Sequence, residues 1–363
     1  MSKKRTGRVV LCTLLVLVTL VLLAALGLWM AGSLIFNGPS EAAGRDLALR
    51  LQKSETTSWI PALFWDQQRL DSLHVEPEPE PTLPEDVEDL LPTTAEPVIE
   101  FAPEGEDPWA QWPEGVLIQD VHRRTYTAHV MLIKDPSQVY LATSAEQFSI
   151  NIKGTRIADQ MQREGAVAAI NGGAFNDDGT ASDYVGSLPQ GMVVSEGKIL
   201  WNDGGSFNGF VGLTNDNVLV VSDSITRGQV EEMGIRDGCC FGPVLIKDGQ
   251  TNENVFHMNV GYNARTAIGQ RADGVVIFAC LDGRQAGSLG ACYSDAMELM
   301  EDLGAVNACC LDGGASTVMT YRDIAGRYGK AGETVVCNSY ALIQANPRRM
   351  PTFFMVRPAE GEE

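Results

Sequence analysis

Histidine is scarce, with four in 363 residues, and none of the eight cysteines forms a Cys-x-x-Cys pair. The spaced thiolate and imidazole ligands of a zinc site are therefore missing. The G-x-x-x-x-G-K-[ST] pattern is absent, which excludes a Walker phosphate loop. There is no G-x-S-x-G nucleophile elbow. The sequence itself assembles no Ser-His-Asp arrangement, since His122, His129 and His257 stand far in sequence from the glycine-rich polar corners, although folding could bring distant residues together. Lys and Arg are missing altogether between Asp71 and His122, and the formal net charge is −20. A chain this acidic lacks the basic patches that grip phosphate backbones, so nucleic acid is not expected as a partner. No internal repeat of fixed period occurs.

What is present divides the chain. Lys3, Lys4, Arg5 and Arg8 precede an almost uniformly apolar run from Val9 to Phe36. A bilayer needs roughly 20 apolar residues, and a basic flank stays cytoplasmic. The rival is a cleaved signal peptide with Ala31-Gly32-Ser33 at its cleavage site, but the run exceeds the usual signal core of about 7–15 residues. The expectation is a single-pass membrane protein: cytoplasmic tail 1–8, transmembrane anchor 9–36, and the rest outside. A juxtamembrane segment and a stalk follow over 37–113. In the stalk, glutamates such as Glu76, Glu78 and Glu80 alternate with Pro77, Pro79 and Pro81. Such a composition has too little apolar surface to offset ordering entropy. It reads as an extended, disordered acidic spacer.

Seven cysteines lie beyond the anchor: Cys239, Cys240, Cys280, Cys292, Cys309, Cys310 and Cys337. In an oxidising compartment some could pair, with at least one left over. Cys309 and Cys310 sit in a buried-strand pattern, where cysteine acts as a small hydrophobe.

From Gly115 the texture becomes short strands and turns. Tyr126, Ala128, Val130 and Leu132 alternate as a half-buried strand does. Glu196-Gly197, Asn215-Asp216-Asn217 and Asp273-Gly274 each separate two apolar runs as hairpin turns do. Thr155–Arg163 has helical spacing. Ser294 is suited to cap a second helix ending at Leu303, with Gly304 as its C′ residue. Strand outweighs helix, and the helices are scattered. The expected fold class is α+β: a single catalytic domain of mixed β-sheets over 114–358, with a short tail at 359–363.

Three apolar runs end in polar corners rich in glycine. They lead to Asn171-Gly172-Gly173, to Asp282-Gly283-Arg284, and to Asp312-Gly313-Gly314-Ala315-Ser316. Glycine beside a strand end lets backbone and side chain approach a ligand together. If the strands before Asp282 and Asp312 are neighbours, the two carboxylates share one sheet end, as the carboxylate pair of a glycosidase does. Turn aspartates are the plain alternative. Arg265 lies in an otherwise apolar run, Ala264 to Gly269. Facing inward it needs a carboxylate or an anionic ligand such as phosphate. On an edge strand it simply faces water. Asn176-Asp177-Asp178-Gly179 offers oxygen ligands that Ca2+ could use, but without EF-hand spacing. No metal site is assigned.

Ala169-Ile170-Asn171-Gly172-Gly173-Ala174-Phe175, Ala264-Arg265-Thr266-Ala267-Ile268-Gly269, Asp282-Gly283-Arg284 and Leu311-Asp312-Gly313-Gly314-Ala315-Ser316 occur in that order. This ordered set resembles the phosphodiester glycosidase family, as do Gly191–Val194, Gly242–Leu245 and the closing Arg349–Val356. The resemblance runs from about Gly115 to Arg357. Ala315 replaces a usual third glycine, and Ala174 displaces the usual aromatic to Phe175. The resemblance implies hydrolysis of a glycosyl-phosphate diester at the anomeric carbon, and the expected anchor and acidic spacer point to cell-envelope glycans or exopolysaccharide as its substrates. It implies Asp312, Asp282 and Asn171 as catalytic residues. Arg265, Arg284, Gly172, Gly173, Gly313, Gly314 and Ser316 would bind substrate, with Arg265 on the phosphate. No cofactor is required. A non-catalytic glycan-binding module and a phosphodiesterase cutting the P–O bond are the competing readings.

Overall fold

The computed structural model describes residues 15–23, 26–27, 29–30, 32–33, 36, 48, 59–66, 69–70, 97–99, 101–102, 106–112, 114–176, 186–204, 209–258, 261–283, 285, 287–338 and 347–359. Two units result, residues 1–85 and 86–363. In the first, residues 15–23 are helical with exposed apolar side chains. Trp65 Nε1 donates to the Phe36 carbonyl at 3.0 Å, and the Phe36 ring stacks on Phe64. Among the described residues no helix is long and apolar enough to cross a membrane. The anchor expected over 9–36 falls partly outside those residues, and the spacer from 71 to 96 lies wholly outside them.

Among the described residues the second unit is built on three large sheets, with a two-stranded pair of Phe175–Asn176 and Leu188–Pro189 beside them. The largest has seven strands in the order Val116–His122, Thr127–Ile133, Val276–Leu281, Arg265–Arg271, Ala305–Leu311, Val244–Lys247 and Gln250–Thr251. A five-stranded sheet runs Leu219–Ser222, Phe210–Thr214, Ile235–Cys240, Met192–Ser195, Lys198–Asn202. Another runs Thr334–Val336, Met319–Arg322, Ala168–Asn171, Thr352–Val356, Val139–Thr143. Alternation along each strand decides what its faces meet. One face of the large sheet carries Ile118, Met131, Ile268, Phe278 and Leu311, and packs on Val193, Val211, Ile170 and Phe354 of the smaller sheets. Its other face carries Ala128, Val130, Ala267, Ile277 and Leu281 beneath Ala296, Leu299 and Met300 of the helix Tyr293–Asp302. A sheet-rich domain with a few separate helices results, an α+β arrangement.

Local sequence accounts for the punctuation. Glu196 and Gly197 take positive φ of 51° and 72° and join Met192–Ser195 to Lys198–Asn202. The helix Ile157–Glu164 stops at Gly165, which is left-handed. The cap of the helix Tyr293–Asp302 differs from expectation: Cys292, not Ser294, is its N-cap. Asp295 explains this, since its carboxylate accepts from the Cys292 N–H at 2.8 Å and so fixes the helix start two residues earlier. Residues 97–99, 101–102 and 106–112, which composition alone assigns to the stalk, include several that touch the domain. Val98 and Ile99 donate to the Asp302 carbonyl, and Phe101, Trp109 and Trp112 pack on the helix-covered core. The seven cysteines beyond the anchor are all free thiols, and Cys309 and Cys310 are fully buried.

Candidate active site

Antiparallel pairing brings distant corners to one end of the large sheet. The strand Arg265–Arg271 starts where its two neighbours finish: Arg265 pairs with Leu281 and Thr266 with Leu311. Asp282 and Asp312, the residues after those leucines, therefore flank the start of one central strand. The strands that carry them are not direct neighbours, because Arg265–Arg271 runs between them. Nor is Arg265 on an edge strand.

Asn171 ties the third sheet to this end. It is fully buried at the end of Ala168–Asn171. Its Oδ1 accepts from Thr266 Oγ1 at 2.8 Å and from the Val318 N–H at 3.2 Å. Its Nδ2 donates to the carbonyls of Asp312 at 2.7 Å and Gly172 at 3.3 Å. Both acceptor and both donor positions of the amide are thus used within the protein. The side chain holds the Asp312 corner in place and has no hydrogen-bonding capacity left for a ligand.

Arg265 is 8% exposed, and among the described residues no carboxylate lies within ion-pairing distance of it. Its Nε donates to the Ala291 carbonyl at 3.0 Å and one terminal nitrogen to the Gly261 carbonyl at 2.9 Å. The guanidinium lies over the Tyr293 ring, 4.2 Å from its centre, a contact that suits the flat cation of arginine. Burial pushes the Tyr293 hydroxyl pKa up. Cys310 and Asp312 add to that rise, and Arg265 opposes it.

A second arginine joins this end without having been singled out from sequence. Arg348 Nη1 donates to Ser316 Oγ at 3.4 Å, and its guanidinium carbon is 4.9 Å from the centre of the Phe175 ring. Ser316 itself is fully buried in the short turn Gly314–Ser316. Phe175, displaced by one residue in the motif, thus becomes the platform for a cation. A Pro-Arg-Arg-Met run gives no local signal that one arginine reaches a distant serine.

Asp282 is 4% exposed and meets a histidine. His129 Nε2 lies 3.1 Å from Asp282 Oδ2, and His129 Nδ1 lies 2.7 Å from Asp120 Oδ1. Burial alone would lower the His129 pKa. The hydrogen bonds and negative charge of Asp282 and Asp120 outweigh burial, and the pKa is raised above 6.5. Sequence separation hid this histidine. Its signal was the strand alternation, which puts Asp120 and His129 directly opposite each other.

The glycines have reasons inside the fold. A Cβ on Gly172 would come 2.7 Å from the Thr352 carbonyl, one on Gly173 3.0 Å from Cys239 Sγ, and one on Gly313 2.9 Å from the Ala264 carbonyl. Gly314 adopts φ of +60°. Close chain packing and one left-handed turn thus account for these four positions. Arg284, Asp177, Asp178 and Gly179 lie outside the described residues. Among the described residues no group of three or more His, Cys, Asp or Glu is placed to hold a metal ion.

A model of the phosphodiester glycosidase family matches residues 164–357. The SPbeta prophage-derived uncharacterized protein YomE of Bacillus subtilis (strain 168) is 26% identical over 196 residues, covering 50% of this chain and 27% of that protein. The chain thus spans about a quarter of the length of this curated relative. Among solved structures, similarity extends to the catalytic domain of zebrafish N-acetylglucosamine-1-phosphodiester alpha-N-acetylglucosaminidase, auto-inhibited by its pro-peptide. The TM-score is 0.51 at 20% identity, over 67% of this chain and 82% of that one. The similarity establishes a common fold.

Proposed function

This chain belongs to the phosphodiester glycosidase family, and from that premise we propose that it hydrolyses a glycosyl phosphodiester at the anomeric carbon. The products are a free sugar and a phosphomonoester. The observation that carries this reading is Arg265: a buried guanidinium, oriented by two carbonyls and an aromatic ring, with no carboxylate partner among the described residues. A buried cation without a counter-charge is costly. A phosphate that arrives with the substrate supplies that charge.

The chemistry fits the groups present. The departing phosphomonoester is far more acidic than a sugar alcohol, its second pKa being about 6. Strong general-acid assistance matters less than in ordinary glycosidases, and charge stabilisation matters more. Arg265 takes the phosphate, and Arg348 with Ser316 supplies a second cationic contact from the far side of the Asp312 turn. Asp312 and Asp282, which flank the start of the strand Arg265–Arg271 from its two sides, serve the oxocarbenium-like carbon and the attacking water. Water forms the new C–O bond as the electron pair of the old one leaves with the phosphate. Asn171 keeps the Asp312 corner in register.

N-Acetylglucosamine 1-phosphate esterified with methanol is a suitable first substrate, since the zebrafish relative is named for cleaving N-acetylglucosamine-1-phosphodiesters. Free N-acetylglucosamine plus methyl phosphate supports the proposal. Release of N-acetylglucosamine 1-phosphate would instead identify a phosphodiesterase, and saturable binding without turnover a glycan-binding module.

The apolar run at 9–36, its basic flank and the acidic spacer suggest that the domain works outside a membrane to which it is tethered, on envelope glycans or exopolysaccharide with glycosyl-phosphate links. Recovery of the full chain in the soluble fraction after cell lysis would contradict the tether.

A further inference from the structure

His129 and Asp120 both precede the family match at 164–357, yet the fold places them against Asp282. Three chain-distant side chains form one line: Asp120 Oδ1, 2.7 Å to His129 Nδ1, then His129 Nε2, 3.1 Å to Asp282 Oδ2. The line runs from a half-exposed side chain (Asp120, 51%) through a buried ring (9%) to a buried carboxylate (5%). The strands supply the alignment. Asp120 pairs with His129, and His129 with Cys280, two residues before Asp282. Stability alone is a weak reason for such a cluster, because well-packed apolar residues commonly serve as well as a buried ion pair. A carboxylate at the sheet end, by contrast, gains from being fixed before substrate arrives.

We propose that His129 is a positioning residue for the hydrolysis, bridging Asp120 and Asp282 so that the Asp282 carboxylate is held in one orientation at the sheet end. The inference rests on the phosphodiester glycosidase reading and extends it to residues outside the family match. Two ionised carboxylates on one imidazole require both ring nitrogens to donate, so the ring acts as a cation. The groups around it agree. Cys280, its cross-strand partner, is pushed well above its ordinary value by burial and stays a neutral thiol. Cys337 and Tyr328, which lie near Asp120, are also raised by burial first and by the Asp120 charge, Cys337 to about 12. The two carboxylates therefore govern the charge on His129. Asp120, half in water, gives the imidazolium proton on Nδ1 a path to solvent. When that proton is lost, one of the two bonds holding the line fails, and with it the hold on Asp282.

The test uses the full chain with the methyl phosphodiester of N-acetylglucosamine 1-phosphate, and compares the wild type with His129→Gln and Asp120→Asn across pH. His129→Gln keeps the approximate shape but cannot bridge two carboxylates as a cation. Its kcat should fall about 10–100-fold with KM within about threefold, the signature of an effect on the chemical step. The alkaline fall in kcat expected of the wild type should be absent from it. Asp120→Asn removes one of the two charges that hold the proton, so its alkaline limb should move to lower pH by about one unit. A His129→Gln enzyme with wild-type kcat and an unchanged alkaline limb overturns the proposal. An Asp120→Asn limb that does not move overturns it too, even if His129→Gln fails to fold. A wild-type chain that turns over no sugar 1-phosphodiester overturns the underlying reading as well, which distinguishes the two failures.

Discussion

The Arg265 guanidinium lies 4.2 Å from the centre of the Tyr293 ring, at the mouth of a strand flanked by Asp282 and Asp312. This relationship gives the sheet end a fixed cation rather than a mobile one. Two carbonyl acceptors and the ring face leave the guanidinium little rotational freedom. An anion that docks there meets a donor set already arranged.

Arg265→Lys should therefore fail even though it keeps the charge. An ammonium cannot reach the Ala291 and Gly261 carbonyls and cover the Tyr293 face together. We expect kcat/KM for a sugar 1-phosphodiester to drop roughly 100-fold or more. A steady-state assay checks this, together with the affinity for inorganic phosphate, which should weaken in parallel.

Asp312→Asn should abolish most of the activity, by roughly 1,000-fold, and leave the fold intact. Two contacts that tie this corner down are made by its backbone: its N–H donates to the Gly172 carbonyl and its carbonyl accepts from Asn171. Neither involves the carboxylate. Hydrolysis rates and a melting curve decide it. A variant with full activity removes Asp312 from the mechanism.

Asn171→Ala should act the other way, destabilising first. It strands the Val318 N–H and the Asp312 carbonyl in a buried site. Leaving buried groups unpaired costs roughly 2–4 kcal/mol here. The melting temperature should fall by about 5–10 °C. Activity should fall as well, through loss of the Asp312 corner and not through loss of a ligand contact.

His129 also marks stability with a pH dependence whose sign is fixed. Its folded pKa is raised above the ordinary 6.5. The stabilisation this provides is fully present below the unfolded pKa and is lost as pH rises through the folded pKa. The wild type should therefore lose more melting temperature between pH 6 and the alkaline range than His129→Gln does. Parallel curves would show that the ring carries no such linkage.

Much of this architecture was legible in the residues, because turn chemistry is local. Glu196-Gly197 and Asp273-Gly274 make hairpins since few residues tolerate those backbone angles, and Gly304 ends its helix at positive φ for the same reason. Strand-end placement of Asn171, Asp282 and Asp312 was readable from apolar runs that stop at glycine. What the sequence could not supply was strand order. Without it the adjacency of the strands leading to Asp282 and Asp312 stayed open, and Arg265–Arg271 in fact separates them. His129 and Arg348 were hidden for the same reason: their partners lie 153 and 32 residues away. The helix Arg227–Glu232, opened by a capping box of Thr226 and Gln229, carried a local signal that hydrophobic periodicity alone passes over.

The fate of oxygen from labelled water tests the central claim most directly. Hydrolysis of a sugar 1-phosphodiester in 18O water should place the label on the anomeric hydroxyl of the free sugar and leave the phosphomonoester unlabelled. Label in the phosphate, accompanied by sugar 1-phosphate, would show that the P–O bond breaks and would contradict the account.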